Sequence, residues 1–346
     1  MTRWAVVLAG GVGSRFWPLS TQERPKQLLP LVTKEPLLVQ QLDRIAPIAD
    51  PAHTLILTNA SLVGAVRRVA PKIPKANIIG EPKPAGTAPA LAWAAHLIQQ
   101  RDGKDATMIS VHADWAIGDP DGFRSALATA AAAAEKHHSL VTVGIVPTRP
   151  DPGFGYIEPG EEVAPGVRHV TRFVEKPSRP KAVRMREQGY LWNSGIFAWR
   201  VGDFLDEIRE HSPEVAPALA KHGKSLKDFF EAVKPVVVDH AVLERSSRVL
   251  VVGADFGWDD VGTWSALLRV RQRDEHGNSV SGTVHALDAN NNVVHAEDQQ
   301  VVIYGVHDLV VVAKNGVTLV TTVDKSADLK KLIESLPEEI RDREGP

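Results

Sequence analysis

Leu8-Ala9-Gly10-Gly11-Val12-Gly13-Ser14-Arg15-Phe16-Trp17-Pro18-Leu19 begins in the last two residues of the apolar run at 4–9. A short apolar run that opens into glycines and then a cation reads as a strand ending in a phosphate loop. Glycine lets backbone approach a phosphate closely and aim N–H groups at it. Arg15 adds a planar, permanently charged fork for phosphate oxygens. Eleven residues further on, Pro25-Lys26-Gln27 supplies a second cation. Two other glycine-rich loops do not fit. A dinucleotide fingerprint needs Gly-x-Gly-x-x-Gly, and Phe16 stands where the third glycine would be. The end of a P-loop is mimicked by Gly223-Lys224-Ser225, but Ala218 occupies the position of its first glycine.

Outward from this loop, short runs rich in Val, Ile and Leu at 4–9, 54–57, 77–79, 107–111 and 140–146 read as buried strands. Helix-like stretches separate them at 37–45, 61–69, 87–100 and 122–138, the last containing an alanine run. This alternation predicts βαβ units and a mostly parallel sheet with helices on both faces. From Gly153 the pattern loosens. Strands at 167–173 and 194–199, separated by loops with Pro and Gly, predict a β-rich insertion on the open edge of the sheet. A helix is expected at 263–273. Short β-type runs at 278–284, 293–295, 301–304, 309–312 and 318–322, with no helix between them, predict a small all-β unit closed by a helix at 324–336. The expected domains are 1–265 and 266–346.

With 346 residues, about two domains are expected. Forty Lys and Arg against 42 Asp and Glu leave a net charge of -2, which argues against bulk nucleic-acid binding. The absence of cysteine excludes disulfides, Cys-ligated zinc, iron–sulfur clusters and a thiol nucleophile, and suits a reducing cytoplasm. No apolar run approaches the ~20 residues of a membrane helix, and no partner membrane is expected. The apolar run after Trp4 is too short for a signal peptide, whose apolar region takes about 7–15 residues.

The quoted loop with Pro25-Lys26 resembles the signature of the sugar-1-phosphate nucleotidyltransferases. Trp17-Pro18-Leu19-Ser20 and Pro25-Lys26-Gln27-Leu28-Leu29-Pro30-Leu31 are most similar to the mannose-1-phosphate guanylyltransferase branch of that family. The resemblance runs on through Glu81-Pro82, Thr87-Ala88-Pro89-Ala90, Gly155-Tyr156-Ile157, Phe173-Val174-Glu175-Lys176-Pro177, Trp192-Asn193-Ser194-Gly195-Ile196-Phe197 and Trp258-Asp259-Asp260-Val261-Gly262-Thr263. It implies a Rossmann-like catalytic domain with a β-rich sugar-binding insertion and a small β-helix-like C-terminal domain. The implied reaction joins GTP and mannose 1-phosphate into GDP-mannose and pyrophosphate, with Mg2+ as cofactor. The attacking phosphate is already an anion, so positioning and charge stabilisation are needed rather than a strong base.

The resemblance also implies roles. Leu8, Ala9, Gly10, Gly11, Gly13, Ser14, Arg15, Lys26, Glu81, Pro82, Thr87 and Ala88 would bind the nucleotide, with Arg15 and Lys26 on the phosphates. Asp114 and Asp260 would share one Mg2+, a hard ion suited to carboxylates. On sequence alone each is equally a helix cap or turn residue, and Asp259 competes with Asp260. The family motif places its Asp just before x-Gly-Thr/Ser, which favours Asp260. Gly155, Tyr156, Glu175, Lys176 and Asn193 would bind the sugar phosphate. Neighbours in a strand face opposite ways, so Glu175 and Lys176 can serve one ligand only across a bend. Tyr156 is equally a core residue.

Ala85-Gly86 departs from the guanylyl pattern toward the Pro-x-Gly form of glucose-type relatives. Another sugar or base is therefore the competing reading, ahead of a catalytically silent sensor. The chain stops before the isomerase domain that some relatives carry, so a single activity is expected, and the apolar run from Val301 predicts a homodimer. Asp255-Phe256-Gly257 lacks a His-Arg-Asp partner and reads as a turn, and His137-His138 reads as a dipole-complementing helix end.

Overall fold

Arg3–Ala9 forms β1, buried at every position after the first. A strand apolar on both faces belongs in the middle of a sheet. The others are β2 (Thr54–Asn59), β3 (Ile78–Glu81), β4 (Thr107–His112), β5 (Leu140–Ile145), β6 (Tyr156–Ala164), β7 (Val167–Val174), β8 (Leu191–Arg200) and β9 (Val249–Ala254). The structure, a computed structural model, describes residues 1–11 and 14–341, with Ser14 described by its backbone. The sheet order is β3-β2-β1-β4-β8-β5-β9-β7-β6. β3, β2, β1 and β4 run parallel, as do β5 and β9. Their carboxyl ends therefore share one edge, where open α/β sheets bind ligands.

β6 and β7 form an antiparallel hairpin at one edge, so the expected β-rich insertion is there, but the strand that pairs with 167–174 is 156–164, which the sequence reading does not name. The strand at 194–199 is not on that edge. It begins at Leu191 and lies antiparallel between β4 and β5. Its last five residues are all buried, as a central strand requires. Helices α1 (Leu37–Ile45), α2 (Val63–Val69), α3 (Thr87–Asp102) and α4 (Pro120–His137) fall where alternation puts them. α4 starts on Asp119, whose carboxylate accepts from the Asp121 and Gly122 amides, and stops at left-handed His138.

Four helices of the same region were not anticipated: α5 (Arg179–Glu187), α6 (Val201–His211), α7 (Ala216–His222) and α8 (Leu226–Ala232). α6 buries Phe204, Leu205 and Ile208, and Phe204 stacks on Trp199 at 4.2 Å. Helix 263–273 is shorter than expected: a 3-10 turn at Trp264–Ala266 runs into α9 (Leu267–Val270). Among the described residues no helix is long and apolar enough to cross a membrane.

Chain contacts divide the protein into two compact units. The first comprises Met1–Gly10, Leu42–Ala113 and Asp119–Trp258 and holds the nine-stranded sheet. The second comprises Gly11–Gln41, Asp114–Gly118 and the chain from Asp259 onward. In it Phe16, Trp17, Leu19, Trp264 and Leu267 pack into one core with Val293, Val310 and Val312.

The C-terminal strands of this second unit wind as coils. β10 (Ser279–Ser281), β12 (Val293–Ala296) and β14 (Leu309–Lys314) are parallel neighbours, β11 (Val284–Leu287) pairs parallel with β13 (Val301–Tyr304), and β15 (Val317–Thr322) closes antiparallel on β14. The run at 278–284 thus breaks in two at Gly282, whose φ is +87° and where a Cβ would meet the Ala296 carbonyl oxygen at 1.8 Å. A buried asparagine ladder fixes one corner. Asn292 donates from its backbone and its side chain to Asn278 Oδ1, each at 2.9 Å, and Leu309 N donates to Asn292 Oδ1 at 2.9 Å. α10 (Leu329–Ser335) follows a 3-10 turn at Asp324–Ala327.

Candidate active site

Pro25 opens a 3-10 turn, Lys26–Leu28, all of it buried. Its first residue reaches two partners: Lys26 Nζ donates to Asp114 Oδ2 at 2.9 Å and to the Asp260 carbonyl at 2.5 Å. Three residues far apart in sequence thus meet inside the second compact unit. The Lys26 side chain is only 8% exposed, so its charge is held by these oxygens rather than by water.

The turn after Trp258 separates the two competing aspartates. Asp259 is buried, and both its oxygens are taken: Arg269 Nε donates to Oδ2 at 2.7 Å, while Arg269 Nη2 and Val261 N donate to Oδ1 at 3.1 and 2.9 Å. Asp260 accepts Gly262 N at 3.3 Å. Between them Val261 is buried at φ +46°, a conformation that a β-branched residue adopts only when its surroundings impose it. Burial pushes the Asp260 carboxyl up, the charges of Asp259 and Asp114 push the same way, and Lys26 opposes them.

Of the glycine loop, Gly13 lies outside the described residues. Leu8 and Ala9 are buried in β1. Gly10 follows at its carboxyl end, where a Cβ would stand 3.8 Å from Glu81 Oε1, whereas at Gly11 a Cβ would meet nothing within 4 Å. Ser14 opens a 3-10 turn in which Arg15 is exposed. Glu81 ends β3, and burial alone pushes its carboxyl up to about 7. Pro82 is exposed.

Thr87 and Ala88 open α3. The unexpected Ala85-Gly86 pair has a structural cause. Val236 N donates to Ala85 O at 3.0 Å and Ala88 N donates to Val236 O at 3.2 Å, which lays segment 236–238 against this turn. At Gly86, with φ +83°, a Cβ would sit 2.4 Å from the Val236 carbonyl oxygen.

A second cluster forms in the same unit as Glu81. Asn193 N donates to Gly155 O at 2.9 Å. A Cβ on Gly155 would lie 2.9 Å from Glu175 Oε2, so glycine makes room for that carboxylate. β7 ends at Val174, and Lys176 turns to φ +39°. That is the bend that Glu175 and Lys176 need to face one way, and they pair at 3.1 Å. Tyr156 has its ring in the core and its hydroxyl on Asp151, and its backbone lies in the sheet between Val174 of β7 and Trp192 of β8, which fits the reading as a core residue. The sequence reading missed Asp239, which accepts from Asn193 Nδ2 at 2.6 Å. Its signal was a lone carboxylate inside the apolar stretch 236–243.

Residues 4–277 match the nucleotidyl transferase family. The chain belongs to that family. Residues 282–336 of this nucleotidyl transferase match the mannose-phosphate isomerase/GMP-like β-helix domain, in line with the coils of β11–β15. The transferase is 36% identical over 343 residues to the xanthan biosynthesis protein XanB of Xanthomonas campestris, covering 96% of this chain and 72% of that one. It is 36% identical over 352 residues to the mannose-1-phosphate guanylyltransferase of Klebsiella pneumoniae, covering 97% and 74%. A solved structure described as a mannose-1-phosphate geranyltransferase from Thermus thermophilus superposes with a TM-score of 0.91 at 35% identity, over 96% of this chain and 99% of that one.

Nucleotidyl transferases of this kind act on a nucleoside triphosphate and a sugar phosphate and generally use a divalent metal. The residues present fit such an ion. Asp114 and Asp260 are hard oxygen donors, the Asp114 charge raises the Asp260 carboxyl, and Lys26 touches both residues.

Proposed function

We propose that this enzyme transfers a guanylyl group from GTP to α-D-mannose 1-phosphate. A phosphate oxygen of the sugar phosphate attacks the α-phosphorus of GTP. The bond from that phosphorus to the β-phosphate bridging oxygen breaks, and pyrophosphate leaves with the electron pair. The carrying observation is the junction of Lys26, Asp114 and Asp260 in a chain so similar to guanylyltransferases over nearly its whole length.

Lys26 neutralises phosphate charge from a fixed, buried position. Arg15, exposed beside the loop, adds a fork for the outer phosphates. Asp114 and Asp260 hold the metal, which we take to be Mg2+; when bound it neutralises phosphate charge and orients the oxygens. Glu175 and Asn193 receive sugar hydroxyls, and Lys176 the sugar phosphate. Glucose-type specificity loses its main support, because Gly86 is accounted for by the carbonyl of Val236. We also assign the enzyme to the cytoplasm and infer a homodimer, on the exposed Leu287, Val302 and Tyr304 of the coils; light scattering tests the dimer.

The test of the reaction is pyrophosphate release with each nucleoside triphosphate crossed against mannose and glucose 1-phosphates, with and without Mg2+. Release confined to GTP, mannose 1-phosphate and metal is expected. Preference for another pair overturns the substrate reading, and no release from any pair overturns the reaction.

A further inference from the structure

Asn193 is held from two sides. Its amide oxygen accepts Gly195 N at 3.3 Å, and its amide nitrogen donates to Asp239 Oδ1 at 2.6 Å. An ionised carboxylate is acceptor-only and a backbone amide is donor-only, so these two contacts fix which end of the side chain is which. The two partners agree, and Asp239 makes the shorter of the two contacts. Gly195, at φ +76°, belongs to an irregular stretch of β8, where the pairing with β5 skips from Asn193 to Ile196. Asp239 opens a five-residue π-helical turn, a rare form that recurs at functional sites. Burial pushes its carboxyl up, the Asn193 hydrogen bond pulls it down, and the Glu175 charge pushes it up again.

The residues just before Asp239 are tied as well. Val238 N donates to Thr87 Oγ1 at 2.9 Å, and Val236 is bonded on both sides to the turn at 85–88. One short strap, 236–239, therefore grips the start of α3 at one end and Asn193 at the other, all within the first compact unit.

We propose that Asp239 is a positioning residue for the sugar phosphate: through Asn193 it orients the amide that reads a sugar hydroxyl, and the strap carrying it registers that amide against the nucleotide-side turn at Thr87. This rests on the sugar role given to Asn193 above. Asp239 acts through Asn193 rather than on the reacting phosphates, so its loss falls on sugar-phosphate binding.

The experiment compares Asp239→Ala, Asn193→Ala and the double variant in steady-state kinetics with both substrates varied. The sugar phosphate used is the one the wild-type enzyme prefers. Asp239→Ala is expected to raise KM for the sugar phosphate about tenfold or more, with the nucleotide KM changed less than about threefold. The double variant is expected to be no worse than the poorer single, because both remove one contact. Asp239→Asn, which keeps an acceptor oxygen in place, should recover most of the loss. An unchanged sugar-phosphate KM in Asp239→Ala, equal rises in both KM values, or effects that multiply in the double variant overturn the proposal. Should Asp239→Ala not fold, Asp239→Ser, too short to reach Asn193, takes its place with the same expectations. A wild type that prefers another sugar phosphate overturns the mannose reading and leaves this test intact with that sugar.

Discussion

Arg269 closes on Asp259 with two parallel hydrogen bonds, 2.7 and 3.1 Å, and so removes it from competition with its neighbour Asp260. Opposite outcomes follow for the two adjacent residues. Asp260→Asn should abolish turnover while thermal melting stays near wild type. Asp259→Asn should lower stability by roughly 1–2 kcal/mol, because it weakens two charge-assisted hydrogen bonds from Arg269, whose own side chain stays in reach of water. Thermal melting and pyrophosphate release on both variants check this. Metal-dependent turnover retained in Asp260→Asn would move the ligand role to Asp259.

Lys26 carries a buried charge that its oxygens already satisfy. Lys26→Met keeps length and apolar stem but removes the cation. Asp114 then faces Asp260 without it, and we expect kcat to fall by about two to three orders of magnitude, the range for losing one preorganised electrostatic group. Lys26→Arg should not restore activity, since a planar fork does not fit where one ammonium spans two oxygens. Full activity in Lys26→Met would sink the assignment.

Glu81 sets a pH dependence of stability. Its carboxyl titrates at about 7 in the folded chain, against an ordinary value of 4.5. Between these values the folded chain holds a proton that the unfolded chain has lost, so stability falls as pH rises through this window. Glu81→Gln removes that fall. The variant should match wild type at about pH 4.5 and exceed it above about pH 7 by at most about 3 kcal/mol. Denaturant unfolding at the two pH values measures the gap; an equal offset at both would show another cause.

Gly86→Ala tests the strap from the other end. The residue sits at φ +83°, and the new Cβ would press on the Val236 carbonyl. A cost of about 3 kcal/mol is expected from left-handed backbone and overpacking together. A melting temperature unchanged from wild type would show that segment 236–238 yields freely.

The parallel strands were legible because their apolar runs end in turn residues and alternate with helices. The place of β8 was not, because a run such as 191–200 states that it is buried but not which strands flank it. Helices α5 to α8 escaped for a different reason: Pro180, Pro213, Pro217 and Pro235 break the region into pieces with too few turns for a clear period. At the site, Lys26, Asp114 and Asp260 could be chosen from motifs, yet nothing local brings residues 26, 114 and 260 together. Asp239 lies in no motif that sequence reading used, and its role depends on a hydrogen bond across the fold to Asn193.

The asparagine ladder at the corner of the coils separates what must be kept in this segment from what is free. Asn278 receives the next coil through Asn292, 14 residues on, and Asn292 receives the one after through Leu309, 17 residues on. The two coils thus differ in length by three residues and still seat their strands in one register. Extra chain is taken up in the turns between the seats, so the segment can gain or lose residues there with its inward valines still facing inward, whereas replacing Asn278 or Asn292 would unseat the strand that follows.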